Sequence, residues 1–458
     1  MNDRRSDALK YAEENNDRYF KELVELAKIP SVSADSYYKK SMKTAADWLV
    51  KKLKEIGMEE TKVMKTEGHP VVYGEYLKAG SEALTVLIYG HYDVQPPDPL
   101  DLWETTPFKP TLRDGNLYGR GASDMKGQVV ASIAAVDAVH RHGGLPINVK
   151  FLIEGEEEIG SPNLAPFIEE NKDLLSCNFA FNPDGSMLGA DLPTIPYALR
   201  GMAYFEINVQ GPAGDLHSGM FGGTVINPAN ELARLIGGMH DGNGRITLPG
   251  FYDSVRAMDK KERKALAELP MDEDYYLDLS GAPALHGEKG FTPVERVGGR
   301  PSLDVNGFLS GYTGEGGKTV LPAKAMAKIS MRLVPDQDPK EVHQQLLQYL
   351  EENANPGITW EVTPMSGGAA SITPRDSVGV KALAKALESV WGKPPLYYRV
   401  GGSIPVVAQM EHILGVDSVL SGFGLPDDNL HAPNEKLTLE PWYKGIYALI
   451  HFIYNLAE

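Results

Sequence analysis

Apolar residues recur at intervals of three and four over residues 7–28, SDALKYAEENNDRYFKELVELA, with Tyr19, Leu23 and Leu26 on one stripe. The period predicts one amphipathic helix, broken at Ile29-Pro30. A second helix is expected over 40–56, where Ala45, Leu49, Leu53 and Ile56 repeat the spacing. Short strands follow at 61–64 and 70–76. The run from Leu84 to Tyr89 is unbroken, apolar and rich in β-branched residues, which reads as a strand buried on both faces and stopped by Gly90. A helix over 128–140, closed by Gly143-Gly144, then alternates with strands at 148–153 and 178–181, an α/β pattern.

The texture changes after Arg200-Gly201. Residues 202–210, MAYFEINVQ, alternate apolar and polar, the mark of a sheet with one solvated face. Asn227 and Pro228 open a helix that runs to about His240. Residues 241–316 are punctuated by Gly and Pro with little period and read as an insertion without assignable elements. Two strands over 318–334 join near Pro322 to Lys324, Asp338-Pro339-Lys340-Glu341 reads as a capping box opening a helix to about Leu350, and a strand covers 358–362. Strand, helix, two strands, helix, strand is the ferredoxin-like order. The α/β texture returns with a helix over 377–391, a strand at 395–399, a turn at 401–405 into another helix and a strand at 417–422. Residues 1–199 and 366–458 are therefore expected to form one domain, with 200–365 inserted as a second.

The formal net charge of −17 over 458 residues argues against nucleic acid or an anionic membrane surface as partner. Cys177 is the single cysteine, so an internal disulfide framework and a Cys-based zinc cluster are excluded, and any metal must be held by histidine and carboxylate. The first twenty residues are charged throughout, and no apolar run approaches ~18 residues. A cytoplasmic location is expected.

Candidate chemistry collects where strands end. His91 and Asp93 follow the buried strand, and continued extension would turn both side chains the same way, Asp93 behind His91, where a carboxylate fixes the imidazole tautomer. Asp124 precedes a helix in a Gly-rich stretch. Glu154, Glu156, Glu157 and Glu158 crowd five residues at the end of another strand; the run reads either as a solvated loop or as charges gathered for a cation. Unit charges ~4 Å apart interact by roughly 1 kcal/mol in water and ~4 kcal/mol at an effective dielectric of 20. Asp184 ends a third strand, and ligands bind at the carboxyl ends of strands in open α/β sheets.

The motifs GHYDVQ, WETTPF and GRGASDMKG, in that order between Gly90 and Gly127, resemble the signature of the M20 family of dinuclear metallopeptidases. The resemblance extends from about residue 20 to the C-terminus. It implies a zinc-peptidase-like catalytic domain with a mixed sheet, plus an inserted ferredoxin-like lid through which two copies form a homodimer. It implies His91 and Asp184 as ligands of one metal, Glu158 and His431 as ligands of the other, Asp124 as the bridging carboxylate, and a cis peptide after Asp124. The cofactors implied are two divalent ions per subunit, zinc by preference, with manganese or cobalt as alternatives. Two such ions bring +4 against −3 from Asp124, Glu158 and Asp184, leaving +1 to hold a hydroxide. In EGEEEIGS, Glu157 resembles the family's general base.

His217, in DLHSG, resembles the lid histidine that reaches the partner subunit's active site and stabilises the oxyanion. Arg332, in SMRLVP, resembles the arginine that grips the substrate carboxylate, helped by Gly402 and Ser403 of GGSIP and by Thr319. Two departures are visible. Several dipeptidase relatives carry an acid before GGS where this chain has Val400, and a histidine near the second crossover, where Met365-Ser366-Gly367-Gly368 offers none. The implied reaction is hydrolysis of dipeptides or short peptides with a free C-terminal carboxylate, through a metal-bridged hydroxide and the Glu157 base. N-acyl amino acid deacylation is the alternative within the family. A non-catalytic metal- or peptide-binding protein is the alternative of another class, against which Glu157 speaks, since binding needs ligands but no base.

Overall fold

The buried run becomes the strand Thr85–His91, inside a six-stranded sheet of the computed structural model, which describes residues 2–458. The strand order is Glu60–Met64, Val71–Tyr76, Asn148–Glu154, Thr85–His91, Phe179–Asn182, Ser418–Leu420. The first two pairings are antiparallel and the last three parallel. The parallel strands therefore all end at one edge. Gly90 does not stop its strand, which continues to His91. A Cβ at Gly90 would lie 2.8 Å from Val129 Cγ2, so the glycine serves the close approach of a helix.

That helix, Gln128–Arg141, is buried from Gln128 to Val139 and packs in one core with Leu439–Asn455 and Val378–Trp391. Residues 7–28 form two helices, Asn2–Glu14 and Asn16–Ala27, where one was expected. Asn15 separates them: its Nδ2 donates to the Tyr11 carbonyl at 2.8 Å, a side-chain bond that competes with helix continuation.

A second, antiparallel sheet has the order Ser302–Ser310, Lys324–Leu333, Gly201–Gln210, Thr359–Gly368. Gly201–Gln210 alternates buried and half-buried along its length, and helices Pro228–Gly238 and Pro339–Asn353 bury Leu232, Leu235, Leu346 and Leu350 with Phe205, Ile207 and Ile329. Asn227 caps the first of these helices by accepting from the Ala229 amide. The sheet's fourth strand comes from the region expected to lack assignable elements. Ser302–Ser310 lies at an edge with most side chains exposed, so no alternation marks it. The expected strand before Pro322 is only Val320–Leu321, paired with Leu216–His217 in a separate ribbon.

The chain divides into two compact units: Met1–Tyr197 with Thr373–Tyr397 and Pro405–Glu458, and Ala198–Ile372 with Tyr398–Ile404. The short return segment is held in the second unit by Arg399, whose guanidinium meets Glu262 at 2.6 Å. Among the described residues, no helix is long and apolar enough to cross a membrane.

Candidate active site

The parallel strands of the first unit deliver their acids and imidazoles to one place. His91 ends its strand fully buried; its Nε2 lies 3.2 Å from Asp124 Oδ1 and 4.0 Å from Asp184 Oδ1. On the other side of Asp124, His431 Nε2 lies 3.0 Å from Oδ2 and 3.2 Å from Glu158 Oε2. Two groups result, His91 with Asp124 and Asp184, and Asp124 with Glu158 and His431, their candidate ligand atoms within 4.8 Å of one another in each group. Each group offers one imidazole and two carboxylates, Asp124 common to both, a donor chemistry that fits two divalent ions of the zinc or manganese type.

Electrostatics say the same. Burial and the neighbouring acids Asp124, Glu157 and Glu158 outweigh His91 and hold the Asp184 carboxyl well above its ordinary range. Burial opposes ionisation of Asp124, yet hydrogen bonds from His431 and His91 keep it below the usual carboxylate range. Burial likewise opposes a charged His91, and its bonds to Asp124 and Asp93 win, raising the imidazole. His431, hydrogen-bonded to Asp124 and Glu158, is lifted to about 10. Acids packed this closely favour positive charge among them, which the two imidazoles or bound cations would supply.

The glutamate run is not a solvated loop. Glu154 is buried and accepts from Tyr89 Oη at 2.7 Å and Ser161 Oγ at 2.9 Å. Glu156 is also buried, accepting from the His69 amide and Asn163 Nδ2. Glu158 faces Asp124 and His431 and is steered by Gln95, whose Nε2 donates to Oε2 at 2.8 Å. Glu157 differs from all three: its carboxylate makes no hydrogen bond or ion pair with another described residue. Burial, reinforced by Glu158, Asp124 and Asp93 against the pull of His91, pushes it up to about 7. Asp93 links these parts. Its main-chain carbonyl is the hydrogen-bond partner of His91 Nδ1 at 3.1 Å, and its carboxylate stands 3.5 Å from the same nitrogen and accepts the backbone amides of Glu157 and Glu158 at 3.3 and 3.1 Å.

Asp124 sits in an irregular turn, Ala122–Gly127, where Asp124 and Met125 leave helical geometry and the peptide between them is cis. The turn is held by Glu435, which sequence reasoning missed. Glu435 is fully buried and accepts from Arg120 Nη1 at 2.7 Å and from the amides of Gly121, Ser123 and Asp124 at 2.9, 3.1 and 3.1 Å. Arg120 also donates to the Ala432 carbonyl, which ties the turn to the loop carrying His431. That loop has three non-glycine residues of positive φ, Asn429 at 55°, His431 at 60° and Asn434 at 63°. No local motif announces a carboxylate whose partners lie more than 300 residues away; the only signal was an unexplained acid four positions after His431.

The remaining candidates lie in the second unit. Arg332 Nη1 donates to Ser403 Oγ at 3.0 Å, and that hydroxyl donates to the Arg200 carbonyl. The Gly402 carbonyl accepts from the Arg200 amide at 3.1 Å. His217 is exposed in its two-stranded ribbon, its Nδ1 accepting from the Gly219 amide at 3.0 Å. Thr319 lies beside it, its carbonyl accepting from Ser218, and makes no hydrogen bond with Arg332 among the described residues.

Residues 87–455 match the family described as peptidase family M20/M25/M40. The chain is 32% identical over 463 residues to the Cys-Gly metallodipeptidase dug1 of Schizosaccharomyces pombe, covering 97% of each. It is 33% identical over 395 residues to the Beta-Ala-His dipeptidase of Homo sapiens, covering 85% of this chain and 78% of that one. Among solved structures, an M20 family metallo-carboxypeptidase, Sso-CP2 from Sulfolobus solfataricus, superposes with a TM-score of 0.84 at 33% identity, covering 96% of this chain and 99% of that one.

Proposed function

The chain belongs to peptidase family M20/M25/M40, and on that premise we propose that it is a metal-dependent dipeptidase hydrolysing the amide bond of dipeptides or short peptides that end in a free carboxylate. The observation that carries this reading is the pair of ligand groups sharing Asp124, with the unpartnered carboxylate of Glu157 beside them. His91 and Asp184 would hold one divalent ion, Glu158 and His431 the other, and Asp124 both; zinc is preferred, with manganese or cobalt as alternatives. Bound there, the ions supply acidification of a water and polarisation of the scissile carbonyl.

Glu157 takes the proton of the attacking water and passes it to the leaving nitrogen, a role suited to a carboxylate that burial makes more basic and that no neighbouring donor occupies. Asp93 keeps His91 in its tautomer and pins the turn that aims Glu157. His217 donates to the developing oxyanion in a homodimer formed through the inserted domain, which acts as lid. The exposed edge strand Ser302–Ser310, with Val305, Phe308 and Leu309 at its surface, supports such an assembly. Arg332, with Ser403, Gly402 and Thr319, holds the substrate carboxylate. The single cysteine, which leaves no internal disulfide for an oxidising compartment to form, supports a cytoplasmic setting.

Val400 favours a second reading, in which no free amine lies next to the scissile bond: an N-acyl amino acid, or a longer peptide cut at its C-terminus as the carboxypeptidase neighbour's name describes. A panel of dipeptides, their amidated and N-acetylated forms and longer peptides tests both. Dipeptides with free carboxylates should be cleaved best, and Arg332→Ala should weaken them by about tenfold or more in kcat/KM while sparing amides. Exclusive cleavage of acylated amines would sink the dipeptidase reading.

A further inference from the structure

Arg332 and Arg200 are like-charged neighbours joined through one hydroxyl, since Ser403 Oγ accepts from the first and donates to the backbone of the second. Neither guanidinium forms an ion pair with a carboxylate among the described residues. Arg200 Nε is held by the Gly401 carbonyl at 2.9 Å, which fixes the group without neutralising it. Burial and then the proximity of Arg332 pull Arg200 down to about 10, against a smaller opposing pull from Asp304.

Arg200 lines an open cleft of about 250 Å³, walled also by His240, His286, Arg296, Ser302 and Asp304. Another acid of the cleft, Glu288, is already committed to Arg300 through two bonds of 2.7 and 2.8 Å. Among the described residues Arg296 Nε donates only to a backbone carbonyl, that of Glu288, at 3.0 Å. Cationic and imidazole groups therefore outnumber the one uncommitted carboxylate, Asp304.

We propose that this cleft receives the acidic side chain of a C-terminal aspartate or glutamate, with Arg200 as its counter-ion, so that dipeptides ending in an acid are preferred substrates. The inference rests on Arg332 holding the α-carboxylate. The two carboxylates of an acidic residue are separated by two or three carbons, and Arg332 stands opposite Ser302 in the strand register, Ser302 being a wall residue of the cleft that the Arg200 side chain also lines. A neutral side chain would leave Arg200 without its counter-charge.

The test uses the metal-loaded full-length enzyme and four substrates, Gly-Asp and Gly-Glu with their near-isosteres Gly-Asn and Gly-Gln. The acid should exceed its amide in kcat/KM by about tenfold or more. Arg200→Gln should lower that ratio by a similar factor. His286→Glu, at an exposed loop position, should lower it too by bringing a competing carboxylate to the cleft wall, and it gives the answer if Arg200→Gln fails to fold. Arg332→Gln should weaken all four substrates and leave the ratio standing. A ratio near one in the parent enzyme, or a ratio that His286→Glu and a folded Arg200→Gln leave intact, overturns the inference. Activation by inorganic phosphate without any acid preference overturns it as well, by making the cleft a free-anion site. If Arg332→Gln spares all four substrates, it is the underlying carboxylate reading that fails.

Discussion

At the scale of single residues, neighbouring glutamates have taken unlike tasks because their partners differ. Glu157→Gln removes only a proton acceptor, so the metal content should persist while kcat falls by roughly 10²–10⁴, as measured by metal analysis and steady-state kinetics on one preparation. Full activity in the variant would remove Glu157 from the chemistry. Glu154 makes a different prediction. Burial lifts its carboxyl from 4.5 to about 8 in the folded chain. A group that binds its proton more tightly when folded contributes stability at low pH and loses it as pH climbs from about 4.5 towards 8. In the metal-free protein, Glu154→Gln should therefore be near neutral at pH 5 and stabilising at pH 8.5, by an amount on the order of a few kcal/mol, read from urea denaturation. His91, Asp124 and Asp184 were legible in the sequence because each sits at a strand end or beside glycines within a motif. The separate fates of Glu154, Glu156, Glu157 and Glu158 were not. They are decided by Tyr89 and Gln95, which reach them across the fold, and by Ser161 and Asn163, which the turn after them brings back.

Among elements, the turn Ala122–Gly127 depends on an acid from the other end of the chain. Glu435→Ala would strand a buried guanidinium and three backbone amides, so a loss of about 3–5 kcal/mol is expected in a denaturant titration, together with weakened metal retention at Asp124. Glu435→Gln, which keeps an acceptor, should lose less. Elements with a buried stripe or a cap were readable: Asn227 and Ser377 both cap the helices they were expected to open. Those without were not. The edge strand Ser302–Ser310 buries too little to show a period, and Gly90 looked like a terminator because a close helix contact and a strand end call for the same residue.

For the whole molecule, the division of labour follows the division of the fold. All five candidate ligands belong to the first unit, whereas His217, Thr319, Arg332, Gly402 and Ser403 belong to the second. Chelation should therefore lower one calorimetric transition and leave another in place. At a free-ion concentration a thousand times the dissociation constant the bound ion contributes about 4 kcal/mol. A uniform shift of all unfolding would show that the units do not respond separately. The two-part plan was legible from the change of periodicity near Arg200, but the return of Tyr398–Ile404 to the second unit was not, because it is secured by the distant pair Arg399 and Glu262.

The distance along the chain between His431 and its partners has a consequence for biosynthesis. A growing polypeptide makes His91, Asp124 and Asp184 long before His431 and Glu435. Because Glu435 holds the turn that carries Asp124, the shared carboxylate is aimed only once that later segment has been made, so both ion sites would be completed by one event on the ribosome's timetable.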